Sequence, residues 1–492
     1  MKLVVVAPLR IEALAVRSGL PGIKVRRSGM GRGEVDFGDA DAVGVAGLCG
    51  GVDPSLRAGD VVLATELRAE DGKTIQCPDS SLLAEPLRRM GLKPAAGTLY
   101  TASRILGRAE RLKLRDQGVL AVDMESAWLA DGAAGRPLAV VRVVADAAGR
   151  RLADPRMVVA GARALGSLRR TSGAIGEWGR AIGPRTVLLA GPRSFCAGVE
   201  RAIDIVELAL AQRGVPVYVR KQIVHNEHVV ADLERRGAVF VEELDEVPRG
   251  ATVVFSAHGV SPEVHRSAGS RELDVIDATC PLVSKVHAEA RKFASEGRTI
   301  FLIGHEGHEE VDGTMGEAPE AIRLVEDIRA AERVEVPEPD RVSYLTQTTL
   351  AVDETDEIVE VLRSRFPALR GPASNDICYA TANRQNAVRA VARDAEVVLV
   401  AGSQSSSNSK RLVEVAQREG ARAYLVDDET DVDVAWLNGV STVAITAGAS
   451  APERIVTRLV GALAALGPID VEERTTTTES LRFRLPKEVA RI

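Results

Sequence analysis

Three cysteines stand in one local setting: Cys196 in LLAGPRSFCAGVERAI, Cys280 in LDVIDATCPLVSKVH and Cys378 in NDICYATANRQ. An apolar β-branched run closes before the first two, and a helical pattern opens after all three. A thiol at a helix N-terminus feels the positive end of the dipole, which favours the thiolate, the metal-binding form. Cys196 and Cys280 are 84 positions apart, Cys280 and Cys378 98 positions apart. That spacing predicts three similar α/β units, each delivering one sulfur to a shared point. Three buried cysteines acting as small apolar residues are the plain alternative, and their polar neighbours weigh against it. A structural zinc site usually shows close C-x2-C pairs, and the chain has none. Three dispersed thiolates suit an iron–sulfur cluster better. Clusters usually take four cysteines, so three leave one iron open for catalysis.

The elements that must position these sulfurs read as strand–helix alternation, hence largely parallel α/β sheets. Apolar runs occur at 186–190, 216–219, 251–255, 299–303, 395–401 and 442–446. Polar groups gather just beyond them: Cys196, His258, His305, His308, Ser403 and Ser450. In open α/β sheets ligands bind outside the carboxyl ends of strands, so this placement is a site signal. GSQSSSNSKRL sets Ser406, Ser407 and Asn408 at a helix entry, which suits a phosphate and equally suits plain N-capping. Ser450 in TAGASAPE, His258 in FSAHGVSPE and His225 in IVHN occupy similar polar breaks. IGHEGHEEVDGTMGE gathers His305, His308, Glu309, Glu310 and Asp312. A carboxylate there could hand a proton to a leaving hydroxyl, and Gln347, Thr348 and Thr349 of TQTTL could carry a proton path.

Composition sets the frame. A chain of 492 residues should form two or more domains. A net charge of −6 argues against general nucleic-acid binding, and 3% aromatics leave few stacking platforms. Five scattered cysteines do not form a disulfide framework. No signal peptide or membrane-length apolar run is read, so a cytoplasmic enzyme without stable membrane insertion is expected. All seven histidines lie beyond residue 224; whatever the N-terminal part does, it does without imidazole. Gly-rich TSGAIGEWGRAIGPR marks a boundary, giving domains at 1–170 and 185–492 with a linker at 171–184.

The N-terminal part opens with a strand, MKLVVVAP, then RIEALAV with Glu12. SGMGRGEVD is a Gly-rich turn at 28–36. DADAVGVAGLCGGVDPSLRAGDVVLATEL reads as strand, Gly-rich loop, strand. GVLAVDMESAWLA places Glu125 inside an apolar helix pattern, where a buried carboxylate needs a partner. PLAVVRVVADAAG ends a strand on Asp146.

GPRSFCAGVERAI, IVHN, FSAHGVSPE, DATCPLVSKVH, GHEGHEEVDGTMGE, TQTTL, DICYATANRQ, SSSNSKRL and TAGASAPE resemble, in order, the motifs of the 4-hydroxy-3-methylbut-2-enyl diphosphate reductase family, over about 185–490. The resemblance implies a cloverleaf of three α/β units around a [4Fe–4S] cluster on Cys196, Cys280 and Cys378. It implies diphosphate binding by His225, His258, Ser406, Ser407, Asn408 and Ser450, and substrate contact by His308 and Thr348. Glu310 matches the proton donor. The substrate would be an allylic diphosphate, and electrons would come from an external donor such as ferredoxin or flavodoxin.

The N-terminal motifs resemble the purine nucleoside phosphorylase and methylthioadenosine nucleosidase superfamily over about 1–165, most of all the phosphorylase-like proteins of hopanoid biosynthesis. This implies an α/β domain taking an adenosyl-type nucleoside, with Glu125 on sugar hydroxyls, Asp146 protonating the purine and Glu12 activating water. Where the nucleosidases have Gly-Ser-Ala-Gly-Gly, this chain has Gly47-Leu48-Cys49-Gly50-Gly51, so water and phosphate both remain open as nucleophile. The alternative is a non-catalytic adenosyl-binding or dimerisation module; a homodimer is a further expectation for the chain.

Overall fold

The computed structural model describes residues 2–33, 35–133, 135–146 and 157–490. Position 34 of the 28–36 turn and positions 147–149 after Asp146 lie outside the described residues. Two compact units divide the chain. One is Met1–Val187 with Val426–Val443 and Thr457–Glu472; the other is Leu188–Leu425 with Ala444–Val456 and Glu473–Ile492.

The N-terminal strands are β1 (Leu3–Ala7), β2 (Lys24–Arg27), β3 (Ala42–Gly51), β4 (Val61–Ala69), β5 (Thr74–Gln76), β6 (Pro94–Thr101), β7 (Val119–Asp123) and β8 (Leu138–Asp146). They pair in the order β2-β1-β3-β7-β6-β4-β5, with β8 against both β3 and β4. The central strands β3 and β8 are buried along nearly their whole length, which is why they read as continuous apolar runs. Two expectations are corrected here. Gly47–Gly51 is strand rather than loop: β3 carries these glycines because a Cβ at Gly47 would meet Arg142 Nη1 at 2.3 Å, and one at Gly50 would meet the Arg111 guanidinium at 2.8 Å. Glu125 is not inside a helix; it occupies the position just before the helix Ser126–Gly132, after β7, with no side-chain capping bond, and it is buried there.

The stretch read as a linker, 171–184, is helical as far as Ala181, because the helix Met157–Ala181 runs through it. Glycine lowers helix propensity by about 1 kcal/mol, and tertiary packing overrides that here. Trp178, Ile175 and Leu168 are fully buried on this helix.

The later strands are β9 (Arg185–Gly191), β10 (Val217–Arg220), β11 (Ala238–Val241), β12 (Thr252–Phe255), β13 (Asp274–Asp277), β14 (Thr299–Ile303), β15 (Ile322–Val325), β16 (Val342–Thr346), β17 (Val397–Ala401), β18 (Arg422–Val426), β19 (Thr442–Ala447) and β20 (Ile469–Thr475). They form three separate sheets, ordered β11-β10-β12-β13, β15-β14-β16 and β18-β17-β19-β9-β20. The first two are parallel throughout. Each sheet leads into one of the three cysteines: β9 precedes Cys196, β13 precedes Cys280, and β16 with the helix Val352–Arg365 precedes Cys378.

Candidate active site

Cys196, Cys280 and Cys378 are the N-cap residues of the helices Ala197–Arg213, Pro281–Ser295 and Tyr379–Ala392. They line one cavity together with His225, His258, His308, Glu310, Thr348, Ser406, Ser407, Asn408 and Ser450. Most of the C-terminal residues singled out from the sequence therefore face one space; His305, Glu309, Asp312, Gln347 and Ser403 are not among its lining, and His305 instead lies 2.7 Å from Arg411 Nη2. Gly198 makes the sulfurs' approach feasible: a Cβ there would sit 2.8 Å from Cys280 Sγ and 3.8 Å from Cys196 Sγ. The Thr381 N–H donates to Cys378 Sγ at 3.3 Å. The donor set fits a [4Fe–4S] cluster: three soft sulfurs on three separate helix ends, converging on a glycine-cleared cradle. One expectation fails. At two of the thiols burial, not the helix dipole, dominates, pushing Cys280 up to about 12 and Cys378 up to about 11. Cys280 and Cys378 therefore hold their protons in the free site, so metal uptake must displace them.

Beside the sulfurs lies a carboxyl–hydroxyl pair. Glu310 is buried on the helix Glu309–Met315. Its Oε1 accepts the Thr348 N–H at 2.7 Å, and its Oε2 accepts from Thr348 Oγ1 at 3.0 Å. Burial pushes Glu310 up to about 7, the range in which a carboxyl group can hold and release a proton near neutrality.

Three imidazoles make the next wall. His225 and His258 stack with ring centroids 4.1 Å apart, and His308 stands edge-on to both, at 5.4 and 5.9 Å. Burial and the neighbouring rings lower His225 to about 2 and His308 to about 4. These two rings are neutral donors and acceptors in the free site, and Lys221 and Lys410 supply positive field at His225. His258 Nδ1 lies 3.2 Å from Glu309 Oε2, which orients the ring. Opposite them, Ser406 caps the helix Ser407–Arg418 by accepting the Ser409 N–H, so the capping reading of this turn holds. Ser450 Oγ donates to the His225 carbonyl at 3.0 Å. Both amide atoms of Asn408 and Nε2 of His225 are buried without a partner. Buried polar groups are normally satisfied; these belong to residues that line the cavity.

Sequence reading missed Phe483 and Tyr379, which line the same cavity. Phe483 lies in an irregular tail with no periodicity to reveal it.

A second cavity, in the N-terminal sheet, brings together Glu12, Glu125 and Asp146 with Leu48, Arg104, Arg111 and Asp123. Glu12 accepts the N–H of Leu48 at 2.8 Å and of Leu9 at 2.7 Å. Glu125 accepts the Gly31 N–H at 3.3 Å, and its Oε2 lies 3.6 Å from the fully buried Arg142. Arg142 also pairs with Asp123 at 2.7 Å. It was overlooked, although an arginine in the apolar run VVRVV is itself a signal, since a buried arginine needs carboxylates. Asp146 is raised by burial, against the opposing pull of Arg111, whose Nη1 donates to it at 2.7 Å. The β3–β8 register slips at Cys49/Gly50, leaving Ala145 unpaired beside Asp146; such bulges re-aim side chains next to sites.

Residues 35–164 match the Phosphorylase superfamily. The 4-hydroxy-3-methylbut-2-enyl diphosphate reductase of Acidothermus cellulolyticus is 60% identical over 308 residues, covering 62% of this chain and 91% of that protein. A reductase of the same description from Mycobacterium bovis is 57% identical over 315 residues, covering 63% of this chain and 96% of that protein. The solved E-1-hydroxy-2-methyl-but-2-enyl-4-diphosphate reductase of Plasmodium falciparum superposes with a TM-score of 0.60 at 38% identity, covering 62% of this chain and 97% of that one. Residues 187–464 match the LytB protein family, and the chain belongs to that family.

Proposed function

We propose that the C-terminal part reduces 4-hydroxy-3-methylbut-2-enyl diphosphate to isopentenyl and dimethylallyl diphosphate. The observation that carries this is the convergence of three cysteine sulfurs and the Glu310–Thr348 pair on one cavity. Cys196, Cys280 and Cys378 would hold the [4Fe–4S] cluster, which supplies electrons one at a time and an open iron position. The chain's own residues do the rest. Asn408, Ser406, Ser407 and Ser450 with His225 and His258 hold the diphosphate, so its binding energy orients the far carbon. His308 and Thr348 meet the allylic end. Glu310 gives up its proton through Thr348, the C–O bond breaks, and the hydroxyl leaves as water. Two electrons and a second proton, delivered to either end of the allyl unit, complete the balance. An external donor such as ferredoxin or flavodoxin supplies the electrons. The test is anaerobic purification with an iron and sulfide count, followed by turnover. About four irons per chain and formation of both products are expected; zinc in their place, or no reduction, overturns the reading.

For the N-terminal part we propose purine nucleoside cleavage on an adenosyl compound such as an adenosyl-hopane. Glu12, Glu125 and Asp146 on one cavity support it. Arg111, which engages the proton-donating Asp146, favours the second reading, an adenosyl-binding or dimerisation module. Incubating the intact chain with adenosyl compounds, with and without phosphate, separates them: released adenine supports the enzyme, and binding without release supports the module.

A further inference from the structure

The reductase reading requires electrons to reach a buried cavity from outside, and the structure carries a surface suited to their carrier. The segment 482–490 runs along the helix Ala197–Arg213, whose N-cap is Cys196. It is anchored by backbone contacts: Arg201 Nε donates to the Arg484 carbonyl at 2.8 Å, Gln212 Nε2 to the Val489 carbonyl at 2.9 Å and Arg213 to the Glu488 carbonyl at 3.3 Å. Leu485 and Val489 pack into the apolar core beneath. Phe483 turns inward and lines the same cavity as the three cysteines. The residues flanking it point the other way: Arg482, Arg484 and Lys487 are exposed.

The charge pattern is the second observation. The chain carries a formal net charge of −6. Yet Arg482, Arg484 and Lys487 put three cations on this short strip against the single carboxylate Glu488. The nearby acid that Arg482 faces is Asp204 on the adjoining helix, whose pKa Arg482 draws down while burial and Glu207 raise it. Among the described residues none of the three cations is in an ion pair closer than 4 Å. A cationic strip beside a redox cavity, on a chain of net negative charge, favours an acidic partner and orients it there.

We propose that Arg482, Arg484 and Lys487 form the docking strip for a small acidic electron-carrier protein, with Phe483 as the contact between that surface and the cavity. The inference rests on the reductase reading. The strip exchanges no atoms with the carrier; it holds the carrier while single electrons pass inward.

The test is the triple charge reversal R482E/R484E/K487E in the full-length holoenzyme, with an acidic [2Fe–2S] ferredoxin as the probe. Two electron sources are compared: that ferredoxin, and reduced methyl viologen, which needs no docking surface. Ferredoxin binding is followed separately by calorimetry. Reversal should lower kcat/KM for ferredoxin by about tenfold or more at low salt, weaken its binding correspondingly and flatten the salt dependence. Turnover with methyl viologen should be unchanged, which also shows that the variant folds and keeps its cluster. Unaltered ferredoxin kcat/KM, binding and salt dependence would overturn the proposal while leaving the reductase reading intact. A parallel loss with both electron sources would overturn it as well, by assigning the tail a structural role. Failure of the unmodified protein to turn over with either source would remove the reductase reading itself, and the docking strip with it.

Discussion

Glu310→Gln isolates the proton from the shape. The amide oxygen can still accept the Thr348 N–H, now made at 2.7 Å, and the amide nitrogen can donate to Thr348 Oγ1, now at 3.0 Å. What is lost is a carboxyl proton held near neutrality: burial lifts Glu310 from its ordinary 4.5 to about 7. At pH 6 about nine-tenths of the molecules carry that proton and at pH 8 about one-tenth, so the wild-type rate should fall with rising pH across this window. The substitution should lower turnover by about two to four orders of magnitude, the range for loss of a general acid, and remove that part of the pH dependence. A second readout uses the cluster-free protein. Because the folded pKa lies above the unfolded one, the folded state binds more protons between pH 4.5 and 7. Stability therefore falls as pH rises through that interval, by about 3 kcal/mol at most. Thermal unfolding of wild type minus E310Q should show this slope. Near-normal turnover of E310Q with electrons supplied, or a pH-independent stability difference, refutes the assignment of Glu310 as donor.

Cys196→Ser, Cys280→Ser and Cys378→Ser should each abolish the iron content measured after anaerobic purification, because hydroxyl oxygen is a poor ligand for the cluster. Cys49→Ser and Cys77→Ser, buried elsewhere, should keep it. Gly198→Ala should leave a folded protein by circular dichroism but deplete iron, since the new methyl group falls 2.8 Å from Cys280 Sγ and drives the thiol off its ligating position. Asn408→Ala should raise the KM for the diphosphate about 10- to 100-fold by removing hydrogen bonds to a charged group. It should not destabilise the free protein, because both amide atoms are unpartnered there; a fall in its Tm would contradict a ligand-facing amide. In the N-terminal cavity, Asp146→Asn should stop any adenine release and Glu125→Gln should weaken nucleoside binding, both read by chromatography of the released base.

Much of the reductase half was legible because its chemistry sits where strands end. The runs at 299–303 and 395–401 contain β14 and β17, and His308, Ser406, Ser407 and Asn408 beyond them line the cavity. The cysteines as helix starts followed from local pattern alone. What local pattern could not carry was the environment. A helix dipole favours a thiolate at an exposed helix end, but at Cys280 and Cys378 desolvation outweighs a field that fades within one helical turn. Helix Met157–Ala181 escaped for a related reason: its glycines look like a linker until Trp178 is seen to be buried.

The N-terminal half was harder because its carboxylates are defined by partners far away in sequence. Glu12 is fixed by the backbone of Leu48, Glu125 by Gly31 and Arg142, and Asp146 by Arg111. A motif such as VVAD names the acid but not the guanidinium beside it, and the guanidinium decides whether that acid is free to give a proton. The same contrast explains the two cavities. In the reductase half Asn408 and His225 Nε2 are buried in the cavity wall without a partner from the chain. In the N-terminal half Asp146 is already engaged by the chain itself, so any ligand must displace Arg111 or share it.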